Sequence, residues 1–205
     1  MRKICIVRHG IAMERESFAG DDLLRPLSDQ GRKKTIRAME GLVSTLTSPC
    51  LCISSEATRA LQTAEILQSA YNRKLGAKLD LQIRGDLNPG CGPAFYFYAL
   101  SAPDYSESGT LVLVGHEPEI SEFLSLCFYP DLPGGKELWD EKRREKGMKR
   151  LRSFLRSRKG FRFLEGEMFQ IKKASASVLE MDQDGVELQA LLPPAALRAM
   201  AASEK

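Results

Sequence analysis

The sequence predicts an α/β fold: a three-layer α/β/α sandwich on a mostly parallel central sheet, with a helical insertion. Three observations carry that expectation. Three short, almost wholly apolar runs stand at residues 3–7, 50–53 and 110–114, the pattern of strands covered on both faces. Helical patterns lie between them, and parallel neighbours need crossovers of that length. Toward the C-terminus the pattern changes to two strand-like stretches joined by a turn.

The first run, Lys3-Ile4-Cys5-Ile6-Val7, leads directly into Arg8-His9-Gly10. Ser28 is placed to cap a helix whose apolar positions Ile36, Met39, Leu42, Val43 and Leu46 recur every three or four residues, with Pro49 just beyond. The second run ends in Ser54-Ser55, either of which is placed to cap a helix carrying Ala57, Ala60, Leu61, Ala64 and Leu67 to about Ala70. The third run ends in Gly115-His116-Glu117-Pro118. A helix with Ile120, Phe123, Leu124 and Cys127 follows it. Residues 168–181 and 186–192 read as a hairpin turned by Asp184-Gly185, Pro193-Pro194 stops it, and residues 195–202 close the chain as a short helix.

At 205 residues the chain has the size of one domain, and we expect a single domain over residues 1–205 with an insertion at about 133–163. With 43% apolar and 28% charged residues it has a globular composition. No apolar run is long enough to cross a membrane, and the N-terminus lacks the pattern of a secretory signal. The five cysteines are scattered, without a Cys-x-x-Cys pair, so neither a disulfide framework nor a thiolate zinc site is expected. A reducing cytoplasm fits that usage. The two histidines offer few metal ligands, and no metal or other cofactor is expected.

The net charge of +3 conceals an uneven distribution, because residues 136–162 hold twelve Lys/Arg against four Asp/Glu. Within that segment Trp139, Met148, Leu151, Phe154 and Leu155 are set among the basic residues, and positions 148, 151 and 155 share one helical face. One or two basic amphipathic helices are expected there. Three readings stand: a helical hairpin packed on the body, a docking surface for an acidic protein or anionic substrate, and a membrane-surface or nucleic-acid contact. A nucleic-acid-binding fold is normally basic over a broader face, so nucleic acid is not expected as the partner of the whole chain.

Ligands of open parallel sheets bind beyond the carboxyl ends of the strands. Three strand ends deliver Arg8, His9, Arg59 and His116 to one rim. Two guanidinium groups beside two histidines leave positive charge for an anion, and the guanidinium fork matches phosphoryl oxygens. The helix start near Arg59 adds backbone donors. Neutral imidazole attacks phosphorus and forms a bond that water can break, which makes His9 the expected nucleophile. Gly10 is expected to open the approach and to orient the second ring nitrogen of His9 through its amide. His116, Arg8 and Arg59 would hold the non-bridging oxygens during transfer.

Four motifs then carry a resemblance: Val7-Arg8-His9-Gly10-Ile11-Ala12, Arg25-Pro26-Leu27-Ser28-Asp29-Gln30-Gly31, Ser54-Ser55 with Arg59-Ala60 and Gln62-Thr63-Ala64, and Val114-Gly115-His116-Glu117-Pro118. In this order they resemble the histidine phosphatase superfamily, which also holds the phosphoglycerate mutases, and within it the short SixA-type phosphohistidine phosphatases. The resemblance spans about residues 1–130 and resumes near 168–182, at Ala174-Ser175-Ala176-Ser177-Val178. It implies that Arg8, His9, Arg59 and His116 form a phosphate pocket and that His9 is phosphorylated during turnover, without a metal. Many superfamily members place a general acid after the third strand, which here makes Asp86 the candidate; its other reading is a loop carboxylate bonded to the backbone beside Pro89. Arg25 either reaches the rim as a phosphate ligand or is a solvated loop arginine. The substrate implied is a phosphorylated protein, such as a histidine-containing phosphotransfer domain, or a small phosphorylated molecule. A phosphomonoesterase of small metabolites and a non-catalytic binder of phosphorylated partners are the alternatives.

Overall fold

A computed structural model of the chain describes residues 2–100, 109–128, 171–182 and 185–203. Its strands are β1 (Arg2–Arg8), β2 (Cys50–Ser55), β3 (Leu79–Arg84), β4 (Thr110–Gly115), β5 (Ala176–Asp182) and β6 (Gly185–Leu192). The helices are α1 (Asp29–Val43), α2 (Thr58–Leu75), α3 (Ala94–Ala99), α4 (Glu119–Phe128) and α5 (Pro194–Ala202). The six strands form one sheet in the order β3-β2-β4-β1-β5-β6. Strands β1 to β4 pair in parallel, and the β5–β6 hairpin adds antiparallel to the free side of β1.

Side-chain alternation along apolar strands decides where the core sits. Cys5, Val7, Cys52, Val112 and Val114 point to one face, where they pack with Met39 and Leu42 of α1, Ala64 and Leu67 of α2, and Leu197 of α5. Ile4, Ile6, Ile53, Leu111 and Leu113 point to the other, against Tyr96 of α3 and Ile120, Phe123 and Leu124 of α4. The result is the three-layer α/β/α sandwich on a mostly parallel sheet that the strand and helix patterns predict.

Ser28 caps α1 as expected, its Oγ accepting the Gly31 N–H at 3.0 Å. The buried stripe of α1 differs in detail, because Thr35 and Ala38 face the sheet while Ile36 is exposed. Gly41 is the contact point of α1 with α5, where a Cβ would lie 1.8 Å from the Leu197 carbonyl oxygen. Helix α2 runs past Ala70 to Leu75 and stops at Gly76, whose φ of 61° is the left-handed conformation that ends helices. Neither Ser54 nor Ser55 caps it: the N-cap is Ala57.

Two elements go beyond the sequence reading. Strand β3 is the sheet edge, and its alternation of Leu79, Leu81 and Ile83 with Asp80, Gln82 and Arg84 is that of a half-covered strand. Helix α3 is six residues of mainly aromatic character, too short for a helical period to register. The first strand of the hairpin starts at Ala176 rather than near 168, since Ala174 turns to a φ of 60° and spends its N–H on the Arg8 and His9 carbonyls. The basic insertion at 133–163 and the turn residues Gln183 and Asp184 lie outside the described residues.

Candidate active site

Strand register creates the site. Arg8 at the end of β1 pairs with Gly115 at the end of β4, and Ser54 of β2 pairs with Val114, so three strands finish at one edge. The His9 N–H donates to the Gly115 carbonyl at 3.1 Å, which locks the two histidine-bearing turns together. The rings of His9 and His116 then lie 5.0 Å apart between centroids, tilted by 50°. Both are buried. Gly115 is required there, because a Cβ would lie 1.7 Å from the Tyr96 hydroxyl, which accepts the His116 N–H at 3.2 Å.

His9 is held by its neighbour's carbonyl. Its Nδ1 lies 2.7 Å from the Gly10 carbonyl oxygen, an acceptor, so the proton sits on Nδ1 and the lone pair on Nε2. The expected amide contact is therefore replaced by one from the carbonyl. The Gly10 N–H instead donates to Thr63 Oγ1 at 3.0 Å, and that hydroxyl donates to the Arg59 carbonyl one turn earlier in α2. The glycine at position 10 also has another reason than the expected open approach, since a Cβ there would strike Thr35 Oγ1 of α1 at 2.1 Å. Burial depresses the His9 pKa well below its ordinary 6.5, with His116, Arg59 and Arg8 adding to the shift and the Gly10 carbonyl opposing it. The ring is a neutral base with a free in-plane lone pair at pH 7.

His116 faces a similar field. Burial, followed by the charges of Arg59, Arg8 and Arg25 and opposed by Asp22, pushes its pKa down to about 3. Its Nε2 lies 2.9 Å from Ser55 Oγ, and its Nδ1 is buried with no partner among the described residues.

The two pocket arginines are anchored differently. Arg8 donates through Nη1 to the Ile171 carbonyl at 2.5 Å. Arg59, in the first turn of α2 and 4% exposed, donates from Nη1 to the Asp22 carbonyl at 2.7 Å and pairs from Nη2 with Asp22 Oδ2 at 3.0 Å. The positive charge is thus not left wholly to an incoming anion: the short helical turn Asp22–Leu24 brings a carboxylate to it. Arg25 joins the same cluster, with Nε on Asp22 Oδ1 at 2.8 Å and Nη1 on the Met13 carbonyl at 2.5 Å. It is a packed arginine, 15% exposed, rather than a solvated one.

Asp86 lies in the turn Gly85–Leu87 after β3, where both its oxygens take hydrogen bonds from Arg84. The backbone beside Pro89 is met by another carboxylate, as Glu119 Oε1 accepts the Gly90 N–H at 2.6 Å. Sequence reasoning did not single out Asp22, Glu56, Asn88 or Tyr96. Asp22 carries the one accessible signal, an acid three residues before Arg25 in a segment too short for a periodic element. Among the described residues no group of three or more His, Cys, Asp or Glu is placed to hold a metal ion, and no helix is long and apolar enough to cross a membrane.

The described architecture is one that solved structures share. It is the histidine phosphatase fold, of phosphoglycerate mutase type. A structure from Agrobacterium tumefaciens described as a SixA phosphohistidine phosphatase matches with a TM-score of 0.62 at 20% identity, covering 94% of this chain and 98% of that one. The protein histidine phosphatase SixA complexed with tungstate matches with a TM-score of 0.62 at 16% identity, over 95% of this chain and 99% of its own. A mycobacterial glucosyl-3-phosphoglycerate phosphatase in complex with VO3 matches with a TM-score of 0.56 at 18% identity, over 94% and 100%. No protein-family model matches the sequence, and no curated protein matches it.

Proposed function

We propose that this chain is a metal-independent phosphatase that hydrolyses a phosphoryl group through a phosphohistidine on His9, with a phosphorylated histidine of a protein as its substrate. The observation that carries the reading is the state of His9: Nδ1–H is tied to the Gly10 carbonyl and burial holds the ring neutral, which leaves Nε2 as the attacking atom. Arg8 and Arg59 supply the charge and hydrogen-bond donors for the phosphoryl oxygens, and His116, its ring 5.0 Å from that of His9, hydrogen-bonds the group beside them through an O–H. Arg25 acts one step back, by sharing Asp22 with Arg59.

In the first step the Nε2 lone pair forms a bond to phosphorus as the bond to the leaving imidazole breaks and its electron pair departs with that nitrogen. In the second, water attacks the phosphohistidine, the N–P bond electrons return to Nε2, and phosphate leaves. Imidazole is a better leaving group than an alkoxide and makes less demand on a general acid. The two-point pairing of Asp86 with Arg84 favours such a substrate over an alkyl ester, whose departure needs a proton. All five cysteines are free, which accords with a reducing cytoplasm.

The test compares a phosphorylated histidine-containing phosphotransfer domain with a generic alkyl phosphate, for the wild type and His9→Ala. The reading expects the higher kcat/KM on the phosphohistidine and no turnover by His9→Ala on either. A preference for the alkyl ester would reassign the substrate, and turnover by His9→Ala would remove the nucleophile.

A further inference from the structure

Three side chains behind His116 form a chain whose proton positions are fixed by elementary hydrogen-bond arithmetic. Asn88 reaches Glu56 Oε1 at 2.7 Å on one side and Ser55 Oγ at 2.7 Å on the other. A carboxylate oxygen only accepts, so the Asn88 atom facing Glu56 is Nδ2 and the atom facing Ser55 is the carbonyl Oδ1. Oδ1 also only accepts, and therefore takes the single hydroxyl proton of Ser55. That hydroxyl oxygen already accepts the Ala57 N–H at 3.1 Å. One lone pair remains for its contact with His116 Nε2 at 2.9 Å, and only a ring N–H can fill it.

We propose that Glu56 and Asn88, acting through Ser55, fix His116 as the Nε2–H tautomer, so that Nδ1 is left as a hydrogen-bond acceptor for an O–H in the pocket, that of the attacking water or of a protonated phosphoryl oxygen. The buried and unpartnered state of Nδ1 is what this arrangement leaves for a ligand. Glu56 and Asn88 are positioning residues in this account, since neither touches substrate. The two histidines then hold opposite tautomers: His9 carries its proton on Nδ1 and offers Nε2 to phosphorus, while His116 carries its proton on Nε2 and leaves Nδ1 to accept from an O–H. The local fold supports the chain at its exposed end. Leu87, 1% exposed, pins the turn Gly85–Leu87, and at Gly85 a Cβ would come within 3.2 Å of Glu56 Oε1.

The inference rests on the pocket being a phosphoryl site, but its test does not require turnover. With two histidines in the chain, nitrogen-15 spectra of the imidazole rings are assigned by one His9→Gln variant. The wild type is expected to show one ring of each tautomer, with His116 protonated on Nε2, and vanadate is expected to perturb Nδ1 of His116. Asn88→Ala and Glu56→Ala free the Ser55 hydroxyl to donate to Nε2 and should shift His116 toward the Nδ1–H form. Glu56→Gln keeps an accepting oxygen and should restore the wild-type spectrum. Loss of one neutral hydrogen bond of this kind predicts a drop of about three- to tenfold in kcat/KM for Asn88→Ala, recovered likewise in Glu56→Gln but not in Glu56→Ala. Wild-type His116 protonated on Nδ1, or a tautomer unchanged in both alanine variants, would overturn the relay. A protein inactive on every phosphorylated substrate, yet with the tautomers and the vanadate response as expected, would uphold the relay and remove the phosphatase reading instead.

Discussion

At the scale of single residues, two buried neutral histidines tie stability to pH. Both have native pKa values below the ordinary 6.5, His116 at about 3. Below pH 6.5 the unfolded chain binds protons that the native chain refuses, so stability is full above that pH and declines as the pH falls below it. At pH 5 His116 costs about 2 kcal/mol relative to pH 7, and His9 adds a loss in the same direction. Urea unfolding of His9→Gln should show a smaller loss between these pH values than the wild type; a wild-type stability that stays flat from pH 7 to pH 5 would contradict the neutral assignment. Asp22 makes a second residue-scale case. Its carboxylate pairs with Arg59 and is held below the ordinary range: burial raises its pKa, and the Arg25 hydrogen bond with the charges of Arg59, Arg25 and Arg15 outweighs that. An anion entering the pocket competes with it. Asp22→Asn should therefore tighten vanadate binding about threefold or more, as a half-buried ion-pair partner of Arg59 is removed; weaker binding would mean that Asp22 holds Arg59 in place for the ligand.

At the scale of elements, α1 packs closely on α5. With a Cβ at position 41 set to lie 1.8 Å from a backbone oxygen, Gly41→Ala must push the helices apart. We expect a destabilisation of about 1–3 kcal/mol, read from the denaturant midpoint, with the site chemistry unaltered; an unchanged midpoint would show that the helices separate freely. The legibility of the sequence follows the same packing logic. Strands β1, β2 and β4 and helix α4 were legible because burial on both strand faces, or a strict helical stripe, leaves a dense apolar signal. So were the places of Arg8, His9, Arg59 and His116, each at or just after a strand end. Strand β3 is half covered and α3 is one short turn pair, so neither imposes a full pattern. The β5 start was misplaced because Ala174 adopts a left-handed turn without the glycine that signals one. Asp22 and Asn88 acquire their roles only through side chains brought from 37 and 33 positions away, and no local pattern records that.

At the scale of the whole molecule, charge is divided between a body and a segment. Residues 136–162 carry a surplus of eight positive charges while the net charge is +3, so the remainder is acidic. A basic segment near a phosphate pocket would steer acidic phosphorylated proteins toward it, an effect that salt screens. Neutralising Arg143, Arg144, Lys149 and Arg150 together should lower kcat/KM for a phosphorylated protein at low salt and leave a small phosphate ester less affected. Identical kinetics on both substrates across the salt range would assign the segment to packing alone.

The central claim is that the phosphoryl group passes through His9. Its most direct measurement is the trapping of the enzyme during turnover of labelled phosphohistidine substrate, with the labelled residue located by mass spectrometry. The predicted result is a phosphoenzyme that is stable to base, labile to acid, modified at His9 and absent from His9→Ala. A label on serine, on His116 or on any other residue, or turnover with no phosphoenzyme at all, would contradict it.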